Sequence, residues 1–380
     1  MTDHQHTPTT EATELPKYLL AAQEQVALGR GLSADFYTSP LLYATEQREL
    51  FGRGWVPVCR VDQLPGPDSY RPAEAAGYSL LLTTDAAGTL HVLPNACTHR
   101  SMRLAEEPGE TSRIVCPYHR WTFGLDGGLL SAPLVGPRID RAACGLAEVP
   151  HELWQGWLFV NPAGGAEPLG PSLSGLDTVL DGWGLADMVT VAAVEFDSAW
   201  NWKVMWENFN EYYHHLGTHS GTLDPLLPAK TARAVDNHGE PWSCASMTCG
   251  DDYLYMQSFV DVEGSPSKDM HLFSVFPLLC AGVQPGSAFW LRIIPESTTK
   301  HRVSWEFLLP PEELETPHFA ERLAVTMEGL KAIHVEDMEA CALVQSGLES
   351  GLAEPARLTE FDLPVHQLHD WMLRMLTGRS

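Results

Sequence analysis

The chain has 380 residues, with 24 Lys and Arg against 49 Asp and Glu, giving a formal charge of -25 at pH 7. That length allows two domains with separate cores. The acidic balance argues against nucleic-acid binding, which needs clustered basic side chains; it serves solubility and would steer in a basic redox partner or a cationic substrate.

The eight cysteines lack the density of a disulfide scaffold, and no signal peptide precedes them. No apolar run reaches the roughly 18 residues of a membrane span, so a cytoplasmic, reduced protein is expected. Residues 1–14 are polar and Thr-rich, with His4 and His6, and read as a loose tail. Residues 15–54 predict helices: one over 15–31, and a second opening at Ser39-Pro40, with Ser39 as cap and Pro40 in the first turn. Trp55 opens β-type sequence, and residues 55–161 alternate short apolar runs with turn signals, as a small β domain should. Asp85-Ala86-Ala87-Gly88 and Asp126-Gly127 each join two strands as hairpins, and Trp154, Trp157 and Phe159 close the unit.

Between the hairpins lie Cys97-Thr98-His99 and, sixteen residues later, Cys116-Pro117-Tyr118-His119. Two thiolates and two imidazoles suit zinc or a 2Fe-2S cluster. Zinc fingers pair Cys with Cys and His with His; here each loop carries one of each, which is similar to the Rieske pattern. Tyr118 and Trp121 are expected to exclude water beside the cluster. Cys244 and Cys249 have no second pair nearby and read as buried thiols.

Residues 162–188, rich in Pro and Gly at their start, read as a linker, and a strand from Val189 to Phe196 opens the last segment, 189–380. Three His and two Glu then fall within Glu207 to His219. Oxygen-activating Fe(II) wants two His and one carboxylate on one face. His214 and His219 are five apart, about 140° on a regular helix, so they converge only if the helix breaks, and Gly217 can supply the break. Glu211, three residues before His214, can touch it. On a helix expected from Pro317 to Leu348, Leu330, Ile333, Cys341 and Val344 form an apolar stripe with Asp337 in its middle. A buried carboxylate there is costly unless paired or metal-bound, which selects Asp337 as third ligand. Glu336 points toward the flank, and the rival His334 reads as an outer-sphere or surface residue.

From Leu32 to Leu352 the chain resembles the catalytic α subunit of Rieske non-haem iron oxygenases. The family pattern of an acid, two residues, His, four residues, His falls on Glu211, His214 and His219, and Glu-Asp-x-x-x-Cys with Val-Gln-x-Gly-Leu falls on the segment of Asp337. Glu rather than Asp at position 211 is more like the branch acting on carnitine, choline and glycine betaine.

The resemblance implies an α+β fold, a Rieske β domain inserted into a helix-grip domain of antiparallel sheet and helices. It implies a 2Fe-2S cluster on Cys97, His99, Cys116 and His119. It also implies Fe(II) on His214, His219 and Asp337, with O2 as co-substrate and electrons from NADH or NADPH through a ferredoxin or flavin reductase. It places an inter-subunit bridge on Glu211, in a homotrimer, and a supporting role on Asn208. Ser101 departs from the Gly usual after His-Arg.

A quaternary amine would need an aromatic cage. Tyr213, Tyr253, Phe289, Trp290 and Trp305 are the foremost candidates, with Trp206, Phe209, Tyr212, Tyr255 and Phe259 behind them; Arg292 or Arg302 could pair with a substrate carboxylate. The alternatives are oxygenation of an aromatic or uncharged substrate, and a Rieske electron carrier with an inactive second site.

Overall fold

The computed structural model describes residues 10–135 and 139–378, with residues 10–14 described by backbone alone. His4 and His6 lie outside the described residues. The chain forms two units, one of residues 52–169 and one of the segments before and after it.

Among the described residues, the 52–169 unit is built from three small antiparallel sheets. The hairpin Tyr78–Thr84 with Leu90–Pro94 turns on Asp85, whose Oδ1 accepts from the backbone N–H of Ala87 and Thr89. The turn after Gly124 has Gly127 at φ +83, where a Cβ would lie 2.6 Å from the Leu146 carbonyl; only glycine fits this close approach. A second hairpin joins Arg113–Val115 to Thr122–Gly124, so the loop of Cys116 and His119 is its turn. Leu81, Leu93, Ile114 and Phe123 pack with Cys97 and Cys116 into one core.

The other unit holds a seven-stranded antiparallel sheet, in the order Val189–Ser198, Lys300–Leu309, Ser287–Ser297, Leu279–Gln284, Asp269–Val275, Trp242–Thr248 and Arg233–Val235. Helices accompany it: Thr10–Ala27, Pro40–Glu46, Trp202–Asn210, Phe319–Glu349 and Leu363–Thr377. This is the expected α+β architecture. Ser39 caps Pro40–Glu46 by accepting from the Leu42 N–H. Asn201 caps Trp202–Asn210, its Oδ1 accepting from the Lys203 N–H, while its own N–H donates to Gln345 of the long helix. Lys203 and Glu46, each 0% exposed, pair at 2.7 Å, and Trp202 Nε1 donates to the same carboxylate. Buried ion pairs of this kind fix an element's position more than they stabilise it.

Three expectations are corrected. The first helix begins at Thr10, inside the stretch read as a tail, because Glu11 and Ala12 are helix formers and the helix continues through Pro16. Residues 169–188 are not an open linker: Leu169, Leu173, Leu176 and Leu180 recur at helical spacing and are buried, behind the Pro and Gly that suggested a spacer. On Phe319–Glu349 the buried face runs through His334, Asp337, Cys341 and Gln345, at steps of three, four and four, so Val344 turns outward and is 50% exposed.

Candidate active site

The two cysteine loops are backbone copies of one another. Cys97 N–H donates to Met102 O and Ser101 N–H to Cys97 O; Cys116 N–H donates to Trp121 O and Arg120 N–H to Cys116 O. Each loop turns through a left-handed residue, Ser101 at φ +53 and Arg120 at φ +61, which is the physical reason a glycine would suit position 101. Asn95 secures the first loop, accepting from the N–H of Leu104 and Ala105.

Cys97 and Cys116 are buried, whereas His99 and His119 are exposed with ring centroids 4.6 Å apart. Burial, with the Cys116 thiol alongside, pushes the Cys97 thiol up in pKa. Trp121 is buried and stacks on His99 at 4.9 Å and 6°, as a water-excluding residue should, while Tyr118, although 54% exposed, packs on His119 with ring centroids 3.8 Å apart.

The second site sits where Trp202–Asn210 stops. The α-helix stops at Glu211, extended at φ -125 and ψ 145, and the 3-10 turn Tyr213–Leu216 that carries His214 ends at Gly217, so a break falls before the two histidines and again between them. From that position Glu211 Oε2 accepts the His214 N–H, and Oε1 lies 2.8 Å from His214 Nδ1. A short 3-10 turn then brings His214 and His219 to the long helix.

His219 Nε2 is 2.9 Å and His214 Nε2 3.5 Å from one atom, Asp337 Oδ1, and candidate ligand atoms of the three residues lie within 4.8 Å of one another. Asn208 Nδ2 donates to that same oxygen at 2.8 Å. The outer nitrogen of His219 is 2.6 Å from Glu336 Oε2, which also accepts from Thr222. Burial opposes charge on His214, but Asp337 and Glu211 outweigh it and hold its pKa at about 10. Burial raises Asp337, yet the two imidazoles hold it well below the usual carboxylate range. The centre is therefore arranged for positive charge.

The comparisons with known proteins bear on both sites. The Rieske [2Fe-2S] domain matches residues 54–150, and the ring hydroxylating alpha subunit catalytic domain matches residues 185–378. A choline monooxygenase of Amaranthus tricolor is 30% identical over 364 residues, covering 90% of this chain and 77% of that one. The chain belongs to the Rieske-type ring-hydroxylating alpha subunits.

A glycine betaine monooxygenase oxygenase subunit of Chromohalobacter salexigens is 32% identical over 198 residues; the match spans 52% of this chain and under half, 44%, of that relative. In fold, the chain superposes with TM-score 0.79 on a quaternary ammonium Rieske monooxygenase, at 21% identity and covering 94% of this chain and 98% of that one. A Rhodococcus naphthalene 1,2-dioxygenase gives 0.78 at 19% identity, covering 97% and 99%.

The donor sets suit the family's two groups. Two buried thiols with two exposed imidazoles on paired loops fit a 2Fe-2S cluster with histidines on one iron. Two imidazoles and one carboxylate, each imidazole tied at its outer nitrogen by a second carboxylate, fit Fe(II).

A cavity of about 100 Å³ opens on this triad. Of the foremost aromatic candidates, Tyr253, Phe289 and Trp305 line it, as do Phe209 and Tyr212. Two foremost candidates do not: Trp290 alternates with Phe289 and is buried on the sheet's other face, and Tyr213 stacks on Phe361 outside. Of the remaining rings, Tyr255 is 91% exposed, Trp206 packs on Phe276, and Phe259 packs on Phe307.

Phe289 and Trp305 stack at 5.2 Å and 22°, and Phe209 meets both edge-on. Phe289 occupies the space a side chain would take at Gly282, its Cζ 2.3 Å from the position of a Cβ. His334 is no surface residue: it is buried, accepts from Trp305 Nε1 at 3.2 Å, and burial lowers its pKa to about 4.

Two residues escaped the sequence reading. Glu336 was placed on a flank without a role, although a carboxylate next to a ligand position is a signal for a second carboxylate at the site. His215 lines the cavity, its Nδ1 3.1 Å from the Leu227 carbonyl, and burial lowers its pKa to about 4. Among the described residues no helix is long and apolar enough to cross a membrane.

Proposed function

We propose that this chain is a terminal oxygenase acting on a methyl group next to a quaternary or tertiary nitrogen, with N-demethylation or C–N cleavage following. The observation that carries the reading is the convergence of His214, His219 and Asp337 on one side of a cavity walled by Phe209, Phe289 and Trp305. When bound, the cluster supplies single electrons and the Fe(II) supplies oxygen activation.

The chain's own residues do the rest. Cys97, His99, Cys116 and His119 hold the cluster, within a Rieske domain over about residues 55–161. His214, His219 and Asp337 hold iron in a catalytic domain over about 189–380, to which helices 15–54 belong. Asn208 fixes the Asp337 oxygen that both imidazoles face. The rings wall the cavity that would take an amine cation and keep water out.

Glu211 holds the Nδ1 of His214, the nitrogen turned away from Asp337, and so is placed to pass charge or a proton onward. In this reading it connects to the cluster of a second subunit in a homotrimer, and a ferredoxin or flavin reductase fed by NADH or NADPH delivers the electrons.

Asp337→Ala tests the site. Iron should fall from about three to about two per chain, with the cluster's visible spectrum unchanged and amine turnover lost. Retention of all the iron, or of turnover, would contradict the assignment.

A further inference from the structure

We infer that the cavity takes an amine cation whose far end is uncharged, and that it excludes a carboxylate-bearing substrate. The inference deepens the proposed amine reading and rests on it. None of the sixteen residues lining the cavity is Lys or Arg. The arginines suggested by the sequence do not reach it. Arg292 and Arg302 lie on the two strands that carry Phe289 and Trp305, but at alternate positions, which places them on the other face of the sheet. There Arg302 pairs with Glu296 at 2.6 Å, and Arg292 lies 3.9 Å from Glu306.

Carboxylates accompany the triad: Asp337 within it, Glu211 on His214 and Glu336 on His219. Besides the triad, the lining offers the rest of a substrate apolar side chains, Leu223, Leu227, Met270 and Leu272 among them. A carboxylate buried there would lose its water without gaining a Lys or Arg partner. The polar side chains that line the cavity besides the triad are uncharged ones such as the buried Tyr212 hydroxyl, the Tyr253 hydroxyl that donates to Gln284, the Asn208 amide on Asp337, and His215, whose Nδ1 lies 3.1 Å from the Leu227 carbonyl. Such groups can serve a substrate hydroxyl, but a neutral hydroxyl does not offset the cost of burying a carboxylate's charge.

The test is calorimetric binding to the anaerobic, iron-loaded holoenzyme, using choline, glycine betaine and 3,3-dimethylbutan-1-ol, the uncharged analogue of choline. Choline should bind at least about tenfold more tightly than glycine betaine. Equal or tighter binding of glycine betaine overturns the inference while leaving the amine reading intact. Equal binding of choline and dimethylbutanol overturns the amine reading itself, whatever glycine betaine does. Failure of all three to bind overturns both.

Discussion

Glu211 and Glu336 do the same work on two histidines: each takes the Nδ1 of an imidazole whose Nε2 faces Asp337, which fixes tautomer and orientation. Glu336→Ala should therefore lower Fe(II) affinity by about 10–100-fold, measured by competition with a chelator, and Glu336→Gln should recover much of it. An unchanged affinity in the Ala variant would mean that the contact is incidental. His214, held at about pKa 10 without an ion, carries a proton at pH 7 that must leave when a metal binds. Iron titrated into the ion-free site should release at least about one proton per ion, and affinity should rise with pH. Titrations in buffers of different ionisation enthalpy read this directly. Asp337 was legible in the sequence because a carboxylate amid an apolar stripe is costly. Glu336 was not, because its bond reaches 117 residues back along the chain to His219.

Among the elements, hairpins, the Ser39 cap and the long helix were legible from local pattern, since Asp85 and Ser39 act on neighbours a few residues away. The helical segment 169–188 was not, because Pro and Gly at its start masked leucines that find their partners only in the folded unit. The aromatic wall was half legible: composition supplied the rings, but strand register decided that Phe289 faces the cavity and Trp290 does not. Gly282 gives that wall its depth. Gly282→Ala should drive Phe289 from its place and weaken substrate binding by about tenfold or more, with iron content and cluster spectrum unchanged. In the cluster loop, Ser101→Val puts a branched side chain at φ +53 and should cost about 1–2 kcal/mol in denaturant unfolding followed at the cluster absorbance. Ser101→Gly should cost nothing measurable by the same assay.

For the whole molecule, the division between cluster and iron implies that neither suffices. If electrons cross between subunits, a chain lacking the cluster through Cys116→Ser and a chain lacking the iron through Asp337→Ala should each be inactive, yet recover turnover when co-assembled. Mixed assemblies that stay inactive would place the working pair within one chain. Glu211→Gln should keep iron and cluster but slow cluster reoxidation in the presence of oxygen and substrate. The measurement that tests the central claim most directly is a single turnover: holoenzyme with both centres chemically reduced, mixed with oxygen and a panel of tertiary and quaternary amines and small aromatics, and assayed for formaldehyde and hydroxylated product by mass spectrometry. The account predicts product from an amine, absent in Asp337→Ala. Product from aromatics alone would contradict it.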